Sequence, residues 1–480
     1  MPLELLKDLY IETKDKKVLI FPNSRGRAEE IAVKLKKNSD RVKGHSNYFS
    51  HHSSVDKEVR EYVEYFAKNN YQENFCISCT STLELEIDIG TVDEVIQIDA
   101  TYSIASLIQR VGRSGRKEGQ KSNLFLYATN QWSLLQSLAC WLLYKEGFIE
   151  PPQSNVKPYD ILIHQALSIT KGHNGIKLKD LINRLSKNFS FDKIPKSEIE
   201  EILFHLIEID FLEKLEHEVI IGIEGEKTVN SREFYSVFKT EETFKVINAG
   251  NTIGEIPLSP QINEDENILL AARIWKIKFV DTKYKKIEVI PAKDGNKPMF
   301  FGSGVIIHPT IREKMLQILY TDNKYEILDD LSNEEIENMR KDFSVFNIRN
   351  LVVERPLITG GTHLLLYTFT GTKINRTIKL LLNLAEIKNS FDERCSQFDI
   401  DVSKEDLLIK WDSLTDTLAE IDMHLNKLLE KVPTLLNFSK WGIYLPQKFQ
   451  VKLLRDKYFD IPNTEQFLNC KKLVTNMSIE

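Results

Sequence analysis

The first 150 residues alternate short apolar runs with stretches in which apolar residues recur every three or four positions. The runs are typical of strands buried in a parallel sheet, and they cover 18–21, 75–79, 94–98 and 124–127. The periodic stretches predict helices at about 1–15, 28–37, 55–69, 81–87 and 104–112. Strand and helix alternate, which predicts a parallel sheet covered on both faces. Because ligands of such sheets bind at the carboxyl ends of strands, the residues after each run are the first candidates for a site.

The pattern changes after residue 150, where the proline-bearing segment 151–158 predicts a domain boundary. Helical stretches follow at 159–171, 178–185 and 197–209, and a hairpin strand follows at 219–222. Three short helices and a ribbon predict a winged helix at 157–223. The third of these helices carries Glu198, Glu200, Glu201 and Glu208. These charges would repel DNA phosphates, so we expect this helix to pack as a structural coupler and not to read a major groove.

From residue 224 the helical period gives way to short strands separated by polar turns, which predicts a β-rich domain at 224–310. Its expected strands are 234–238, 243–248, 251–256, 268–270, 273–280, 287–291 and 304–307. The remainder, 311–480, is expected to be α+β to helical. Helices are predicted at 311–340, 374–387, 404–431 and 446–453, with strand-like stretches at 345–351 and 362–370. The predicted fold class is therefore multidomain, with the α/β unit at 1–150 placed first.

Composition narrows the possible partners and the compartment. The 480 residues carry a formal net charge of −6, so nucleic-acid binding would need a local basic surface. No apolar run approaches the length that spans a bilayer, and no signal-peptide pattern is present, so we expect a cytoplasmic protein without membrane contact. Cys76 and Cys79 lie in an apolar run with no second pair to complete a zinc site, so core cysteines are expected and no metal site is predicted.

The sharpest chemical pattern is a run of arginines at every third position. Arg110, Arg113 and Arg116 are separated by small residues that include two glycines. On the first turn of a helix, this spacing would place the three guanidinium groups on nearly one face. A guanidinium binds phosphate oxygens bidentately and keeps its charge, so the run predicts a device that stabilises phosphate. The alternative is an exposed basic helix start.

Four segments resemble motifs of one helicase family. Cys79-Thr-Ser-Thr-Leu-Glu-Leu-Glu-Ile-Asp-Ile-Gly90 and Gln109-Arg-Val-Gly-Arg-Ser-Gly-Arg116 resemble motifs V and VI of superfamily 2 helicases, in the form of the large helicase-related (Lhr) family. Residues 18–25 resemble motif IV, and 51–54 resemble the short segment after it. Glu86 stands where the family usually has glycine. The resemblance implies that 1–150 is the second RecA-like lobe, followed by a winged helix and the β-rich Lhr-type domain.

The resemblance also implies roles for particular residues at an ATP site. Arg113 and Arg116 would act as arginine fingers on the γ-phosphate of ATP, and Gln109 would orient the same phosphate region. Asp88 would accept from the ribose hydroxyl, with Gly90 and Arg110 beside the nucleotide. A helix-start carboxylate is the alternative role for Asp88.

A second set of residues would contact the nucleic acid. The resemblance implies that Thr80 and Ser81 donate to the DNA backbone, and that Asn23, Ser24 and Arg25 face it as well. An N-cap is the alternative role for Thr80 and Ser81. His51 and His52 have no metal-spaced partner, so a packing or hydrogen-bonding role competes with DNA contact.

Trp275 lies in a strand-like segment that mixes basic and aromatic residues. Alternation would place Trp275, Ile277 and Phe279 on one face of the strand, with lysines on the other. Trp275 would then stack on a single-stranded base. The alternative, a core tryptophan behind an outward row of lysines, is the more common arrangement.

Two functional hypotheses follow. A helicase motor needs a P-loop and an acidic pair that holds Mg²⁺, and neither occurs in the sequence. The leading hypothesis is the C-terminal portion of an ATP-dependent DNA helicase, with ATP and Mg²⁺ as cofactors and Mg²⁺ held mainly by a missing first RecA-like lobe. Its partners would be that lobe and single-stranded or partly duplex DNA, with RNA left open. A cloned fragment, a split gene and a truncated gene all fit. The second hypothesis is a non-enzymatic nucleic-acid-binding or regulatory module derived from a helicase.

Overall fold

The protein is described by a computed structural model. The structure describes residues 1–70, 72–84, 92–115, 121–152, 157–238, 243–257, 267–271, 273–281, 283–292, 306–360 and 363–476. Within these ranges, none of the helices combines the length and the apolar character needed to cross a membrane.

The first unit is a five-stranded sheet in which all strands run parallel, as the sequence predicts. The strands are β1 (Lys17–Pro22), β2 (Tyr48–His51), β3 (Phe75–Cys79), β4 (Glu94–Ile98) and β5 (Leu124–Tyr127), in the order β2-β3-β1-β4-β5. The helices are α1 (Leu3–Thr13), α2 (Arg25–Val42), α3 (Lys57–Asn69), α4 (Ile104–Val111) and α5 (Gln131–Lys145). We call this unit the lobe.

The apolar runs of the lobe are buried on both faces of the sheet. Along β1, Val18 and Ile20 pack with α1 and α2, whereas Leu19 and Phe21 pack with α3. The prediction of core cysteines is confirmed, because Cys76 and Cys79 are almost fully buried. The helix expected at 81–87 is a single 3₁₀ turn at Ser81–Leu83, and residues 85–87 lie outside the described residues.

The next unit contains the predicted three helices and ribbon. These are α6 (Tyr159–His173), α7 (Leu178–Ser186), α8 (Lys196–Glu208), β6 (Leu212–Lys214) and β7 (Val219–Ile221), followed by α9 (Ile223–Val229). The core also receives side chains from far along the chain, namely Trp441, Leu445, Phe449 and Leu453. The packed unit therefore extends beyond the predicted span of 157–223, and the winged-helix assignment itself stays a prediction.

A second five-stranded sheet occupies the predicted β-rich region, in the order β10-β11-β12-β8-β9. Its strands are β8 (Thr243–Asn248), β9 (Asn251–Pro257), β10 (Asn267–Leu270), β11 (Arg273–Asp281) and β12 (Lys286–Pro291). The strand predicted at 234–238 is wrong, because Phe234 follows a turn and fills the core beneath α6. Of the strand predicted at 304–307, residues 304 and 305 lie outside the described residues, and residues 306 and 307 are not in a strand.

The β-rich sheet contacts the lobe backbone to backbone at β9. The Asp56 amide donates to the Ile253 carbonyl at 3.0 Å, and the Glu255 amide donates to the Ser54 carbonyl at 2.7 Å. A Cβ atom at Gly254 would lie 2.2 Å from the Ser54 carbonyl oxygen, so only glycine permits this approach.

The region from 306 onward is α+β, with one five-stranded sheet in the order β15-β16-β14-β13-β17. Its strands are β13 (Glu354–Gly360), β14 (His363–Tyr367), β15 (Asn389–Asp392), β16 (Gln397–Asp401) and β17 (Lys472–Thr475). Its helices are α10 (Pro309–Leu319), α11 (Asp330–Phe343), α12 (Thr372–Leu384), α13 (Lys404–Ala419), α14 (Ile421–Lys431), α15 (Gln447–Tyr458) and α16 (Ile461–Cys470).

Several elements of this region differ from the sequence expectations. The strand-like stretch predicted at 345–351 consists of turns, in which Phe346 is buried beside Phe343. Strands β13, β15, β16 and β17 were not predicted, because their short runs mix polar and apolar residues without clear alternation. The region packs on the lobe, since Met315, Leu319 and Phe343 join Leu135 and Leu138 of α5 in one core.

Candidate nucleotide and nucleic-acid site

The parallel sheet brings the motif segments to one edge of the lobe. Asn23 follows β1, His52 follows β2, Thr80 follows β3 and Asp99 follows β4. Since carboxyl ends of parallel strands share an edge, four segments that are distant in sequence become neighbours there. The Thr80 amide donates to the His51 carbonyl at 3.2 Å, which joins two of these segments directly.

The three residues after β1 are held in place by the lobe. The side-chain Nδ2 of Asn23 donates to the Ala100 carbonyl at 2.6 Å. Ser24 is the N-cap of α2, where its hydroxyl accepts from the Arg27 amide at 3.2 Å. Arg25 is half-buried and donates to the Ser54 hydroxyl at 3.0 Å. These residues lie together as predicted, and whether they contact nucleic acid stays a prediction.

Thr80 and Ser81 stand at the start of the 3₁₀ turn that follows β3. Ser81 is exposed and Thr80 is half-buried. Thr80 occupies the N-cap position of this turn, as the alternative predicts, but its side chain makes no capping hydrogen bond. The adjacent Thr82 hydroxyl is instead the one tied down, donating to the His51 carbonyl at 3.2 Å.

His51, at the end of β2, and His52, which follows it, are both buried beside carboxylates. His51 Nε2 lies 2.8 Å from Glu64, and His52 Nε2 lies 2.7 Å from Glu29. Burial lowers the pKa of His51, against the Glu64 carboxylate that raises it. The geometry therefore favours the packing and hydrogen-bonding role over direct DNA contact. No cluster of three or more His, Cys, Asp or Glu residues that could hold a metal occurs in the described part of the chain.

The arginine run lies at the end of a helix, which corrects the expectation of a first turn. Arg110 is in the last turn of α4, and the helix is capped at Gly112. A cation there is favoured by the helix dipole. Arg110 is also buried: its Nε donates to Glu84 Oε1 at 2.8 Å, and its Nη1 donates to Gln97. The guanidinium further lies over the Phe21 ring. Arg110 therefore joins α4 to β4 and to the turn after β3, and its place beside the nucleotide stays a prediction.

Arg113 and Gln109 differ in exposure. Gln109 is exposed on α4. Arg113 is only 3% exposed, and its Nη2 donates to the Glu84 carbonyl at 2.6 Å. The guanidinium groups of Arg110 and Arg113 are thus anchored to the same residue. Arg116, Asp88 and Gly90 lie outside the described residues.

Sequence reasoning missed Glu84 and Gln97. Glu84 is 8% exposed and accepts from Arg110 through Oε1 and from the Ser106 hydroxyl through Oε2 at 2.8 Å. Gln97 is fully buried on β4, where it links Arg110 to Asn23. The only available signal was a glutamine inside an otherwise apolar strand, because a polar group buried there must find partners.

A pocket of about 430 Å³ opens between β1 and β4 at the same edge. The connection after β1 leads to β2 on one side of the sheet, and the connection after β4 leads to β5 on the other. This is the topological switch point at which such sheets bind ligands. Asn23, Ser24 and Arg27 line the pocket from the lobe, and Arg312 and Arg394 line it from the C-terminal region.

Trp275 is placed in the core, which corrects the stacking role. It is 5% exposed, and its indole N–H donates to the Leu270 carbonyl at 2.9 Å. Ile277 is buried on the same face, as alternation predicts. Phe279 is 51% exposed because the register of β11 against β12 shifts between residues 277 and 279.

The acidic helix α8 is paired with lysines that lie far along the chain. Glu198 accepts from Lys452 at 2.8 Å and from the Tyr159 hydroxyl at 2.7 Å, and Glu201 accepts from Lys448. Burial raises the pKa of Glu198, but hydrogen bonds from Lys452, Tyr159 and Lys157 outweigh it and lower the pKa to about 2. Helix α8 is therefore attached to α15 by charge as well as by apolar packing.

Comparisons with known proteins agree with the motifs. Residues 1–118 match the family model for the helicase conserved C-terminal domain. The Lhr helicase/uracil glycosylase of Escherichia coli is 25% identical over 62% of this chain and 22% of its own length. The ATP-dependent helicase Lhr-Core of Saccharolobus solfataricus is 26% identical over 72% of this chain and 42% of its own length. The chain thus spans less than half the length of these curated relatives.

The fold has a counterpart among solved structures. The Mycobacterium smegmatis helicase Lhr, solved with single-stranded DNA and AMP-PNP, superposes with a TM-score of 0.67. The match covers 99% of this chain and 66% of that structure, at 16% sequence identity, and so bears on the fold alone. Residues 1–118 therefore match a helicase conserved C-terminal domain, and over most of its length the chain is similar to a part of Lhr-type helicases.

Proposed function

We propose that the chain forms half of an ATP-dependent DNA translocase. The lobe would supply arginine fingers to an ATP site shared with a first RecA-like lobe, and its strand edge would form part of the single-strand track. One observation carries the proposal. The segments that resemble motifs IV and V follow β1 and β3 at one edge of the sheet, and Arg110 and Arg113 of the motif VI segment bond to Glu84 of the motif V segment. A pocket at the topological switch point opens at this edge beside Asn23 and Ser24.

The division of work between the two lobes follows from phosphoryl-transfer chemistry. Catalysis of this transfer depends on positioning and on stabilising charge as the bond to the γ-phosphate breaks. Arg113 and Arg116 would stabilise that charge, with Gln109 orienting the phosphate region. The β- and γ-phosphates and Mg²⁺ need a P-loop and an acidic motif, which this sequence lacks and the partner lobe would supply.

The nucleic-acid track would follow the ends of β1 and β3. Hydroxyl and amide groups at Thr80, Ser81 and Asn23 suit the phosphate backbone, because they donate without reading bases. Arg25 adds positive charge beside them, whereas the charge of Arg27 is paired with Asp99. The Mycobacterium smegmatis helicase Lhr is bound to single-stranded DNA, which supports DNA over RNA as the partner. Trp275 has no part in the track, because it is buried.

One observation favours the second hypothesis, a non-enzymatic module derived from a helicase. Arg113 is buried, with its Nη2 bonded to the Glu84 carbonyl at 2.6 Å, and so is not presented to solvent as a free finger. Docking of a first lobe would have to redirect this guanidinium toward ATP. The two hypotheses therefore predict different results when such a lobe is supplied.

The test is ATP hydrolysis at saturating single-stranded DNA. The 480-residue chain alone should stay at background. Mixing it with a first RecA-like lobe from an Lhr-type helicase should give DNA-stimulated turnover, and Arg113→Ala should lower that turnover on the order of 10³-fold. Arg113→Lys should rescue little, because a point charge lacks the bidentate fork. Arg184→Ala, an exposed arginine on α7, is the matched control and should keep full turnover.

Turnover by the chain alone that Arg113→Ala abolishes would contradict the proposal. Equally, a mixture that hydrolyses ATP at the same rate with and without Arg113 would show that the arginine run is not the finger motif.

A further inference from the structure

A continuous path of hydrogen bonds runs through the lobe from half-buried Asn23 at the strand edge to buried Arg113. Asn23 Oδ1 accepts from Gln97 Nε2 at 3.3 Å, and Gln97 Oε1 accepts from Arg110 Nη1. Arg110 Nε then donates to Glu84 Oε1 at 2.8 Å, and the Glu84 carbonyl accepts from Arg113 Nη2 at 2.6 Å. No step of this path depends on an exposed side chain.

We infer that Gln97 is a positioning residue that couples the nucleic-acid edge to the Arg113 guanidinium. This inference rests on the proposed function, because it requires that the strand edge binds nucleic acid and that Arg113 serves the ATP site. Its motivation is geometric: Gln97 stands on the central strand pair, with one end of its amide facing Asn23 and the other facing Arg110.

Gln97 has little freedom to absorb a displacement at one end. Its Nε2 also donates to the Asp99 carbonyl at 2.7 Å and lies near the Ile98 carbonyl at 3.2 Å. The side chain is fully buried, so no water can replace a bond that is lost. In a tightly packed interior, a small shift at Asn23 is therefore passed on and is not dissipated.

Glu84 carries the second half of the path. Its carboxylate receives the Arg110 fork and the Ser106 hydroxyl, and its own backbone carbonyl receives Arg113. A movement of the Arg110 guanidinium therefore acts on the residue to which Arg113 is anchored. Arg110 Nε and Nη2 both donate to Glu84 Oε1 while the Ser106 hydroxyl donates to Oε2, so three donors fix the position of the Glu84 carboxylate.

A purely structural role would look the same in a static structure, since buried networks also stabilise folds. The distinguishing readout is transmission: binding at the edge must change the region around Arg113, and loss of Gln97 must remove that change without removing binding.

The experiment is hydrogen–deuterium exchange on the full chain with and without oligothymidylate, at saturation. In the wild type, exchange of backbone amides in 109–115 should slow by at least about fivefold in the complex. Gln97→Met, which keeps the shape and removes the polar atoms, should keep the protection at 22–25 and 80–83 and lose it at 109–115. Gln97→Glu keeps the acceptor for Arg110 but loses the donor to Asn23, and it should lose the transmission as well.

The control is Asn375→Leu, which removes a fully buried amide with similar bonds in the C-terminal region, where its Nδ2 donates to Thr370 at 3.0 Å. This variant should transmit normally, so a general loss of stability is separated from a loss of coupling. If Gln97→Met fails to fold, Gln97→Glu carries the test.

The outcomes separate the two proposals. Absence of any protection by oligothymidylate would overturn the proposed function. Protection at the edge with no change at 109–115 in the wild type, or an unchanged response in both Gln97 variants, would overturn the coupling and leave the proposed function standing.

Discussion

Helices α4 and α8 carry opposite charges, and the sequence predicts that one binds phosphates whereas the other repels them and packs as a coupler. In the structure, part of each set pairs with other residues of the chain. Arg110 of α4 pairs with Glu84 inside the lobe, and both residues are under a tenth exposed. Glu198 and Glu201 of α8 pair with Lys452 and Lys448 at a junction that stays partly open to water.

The difference between the two helices is burial, and burial sets what each ion pair contributes. Removing one partner of a buried pair leaves an uncompensated charge without water, which is strongly destabilising. Partly exposed pairs are solvated and screened, so each contributes little. A charge pattern in a sequence therefore indicates where partners are needed, and only the fold shows whether the partner is a phosphate or another part of the chain.

The largest effect on stability is expected in the lobe, at the buried pair of Glu84 and Arg110. Glu84→Ala leaves Arg110 buried without its carboxylate and should destabilise the lobe by about 3–5 kcal/mol. This loss in the free energy of unfolding is measured in a urea titration, with hydrogen exchange in the strands of the lobe as the readout. Glu201→Ala on α8 is the matched control, with an expected loss of about 0–1 kcal/mol. Equal losses for the two variants would remove the distinction between the helices.

An intermediate effect is expected for Glu198, whose pKa is lowered from 4.5 to about 2. Because the pKa is lower in the folded state, the ionised carboxylate stabilises the fold at any pH above the pKa of the unfolded state. This stabilisation is lost as the pH falls toward the pKa of the folded state. The stability difference between wild type and Glu198→Gln should therefore be complete above pH 4.5 and should shrink between pH 4.5 and about 2. Thermal unfolding of both proteins across this range measures it, and a difference that grows on acidification would contradict the assignment.

The smallest effect concerns the surface of α8. Glu200 is exposed, whereas Glu201 is paired with Lys448. Glu200→Lys should strengthen non-specific DNA binding. It should also steepen the salt dependence of binding, because about one more counterion is released from the DNA. Glu201→Lys adds the same charge but breaks the pair with Lys448, so it should gain less. Weaker binding by Glu200→Lys, or a preference of the native protein for one duplex sequence, would contradict the coupler role of this helix.

The comparison also shows where sequence reasoning succeeds. The parallel lobe was predictable because each strand is a continuous apolar run, and the three helices of the next unit because their apolar residues keep a helical period. The core role of Trp275 was the stronger expectation and is the one the structure supports. The turn around Phe234 and the C-terminal strands were not predictable, because their burial depends on partners distant in sequence.

For the candidate site, the sequence predicted which segments meet at the strand edge, but it did not predict the hydrogen bonds that connect them. Spacing placed Arg110 and Arg113 together, but the spacing could not show that both bond to Glu84. Glu84 stands in the motif V segment without a stated role, and Gln97 was marked only as a polar residue in an apolar strand. The assignment of Gln97 needed the register of β4 beside β1, and that of Glu84 needed the position of the turn after β3, which are properties of the fold.

The central claim is that the strand edge and the arginine run perform separate tasks, and a titration of fluorescent oligothymidylate with the full chain tests it most directly. Thr80→Ala removes a hydroxyl donor to a charged phosphate and should raise the Kd about tenfold. Arg113→Ala should leave the Kd within about twofold of wild type, because its guanidinium would serve the γ-phosphate and not the strand. A Thr80→Ala protein that binds like wild type beside an Arg113→Ala protein that loses affinity would contradict the account.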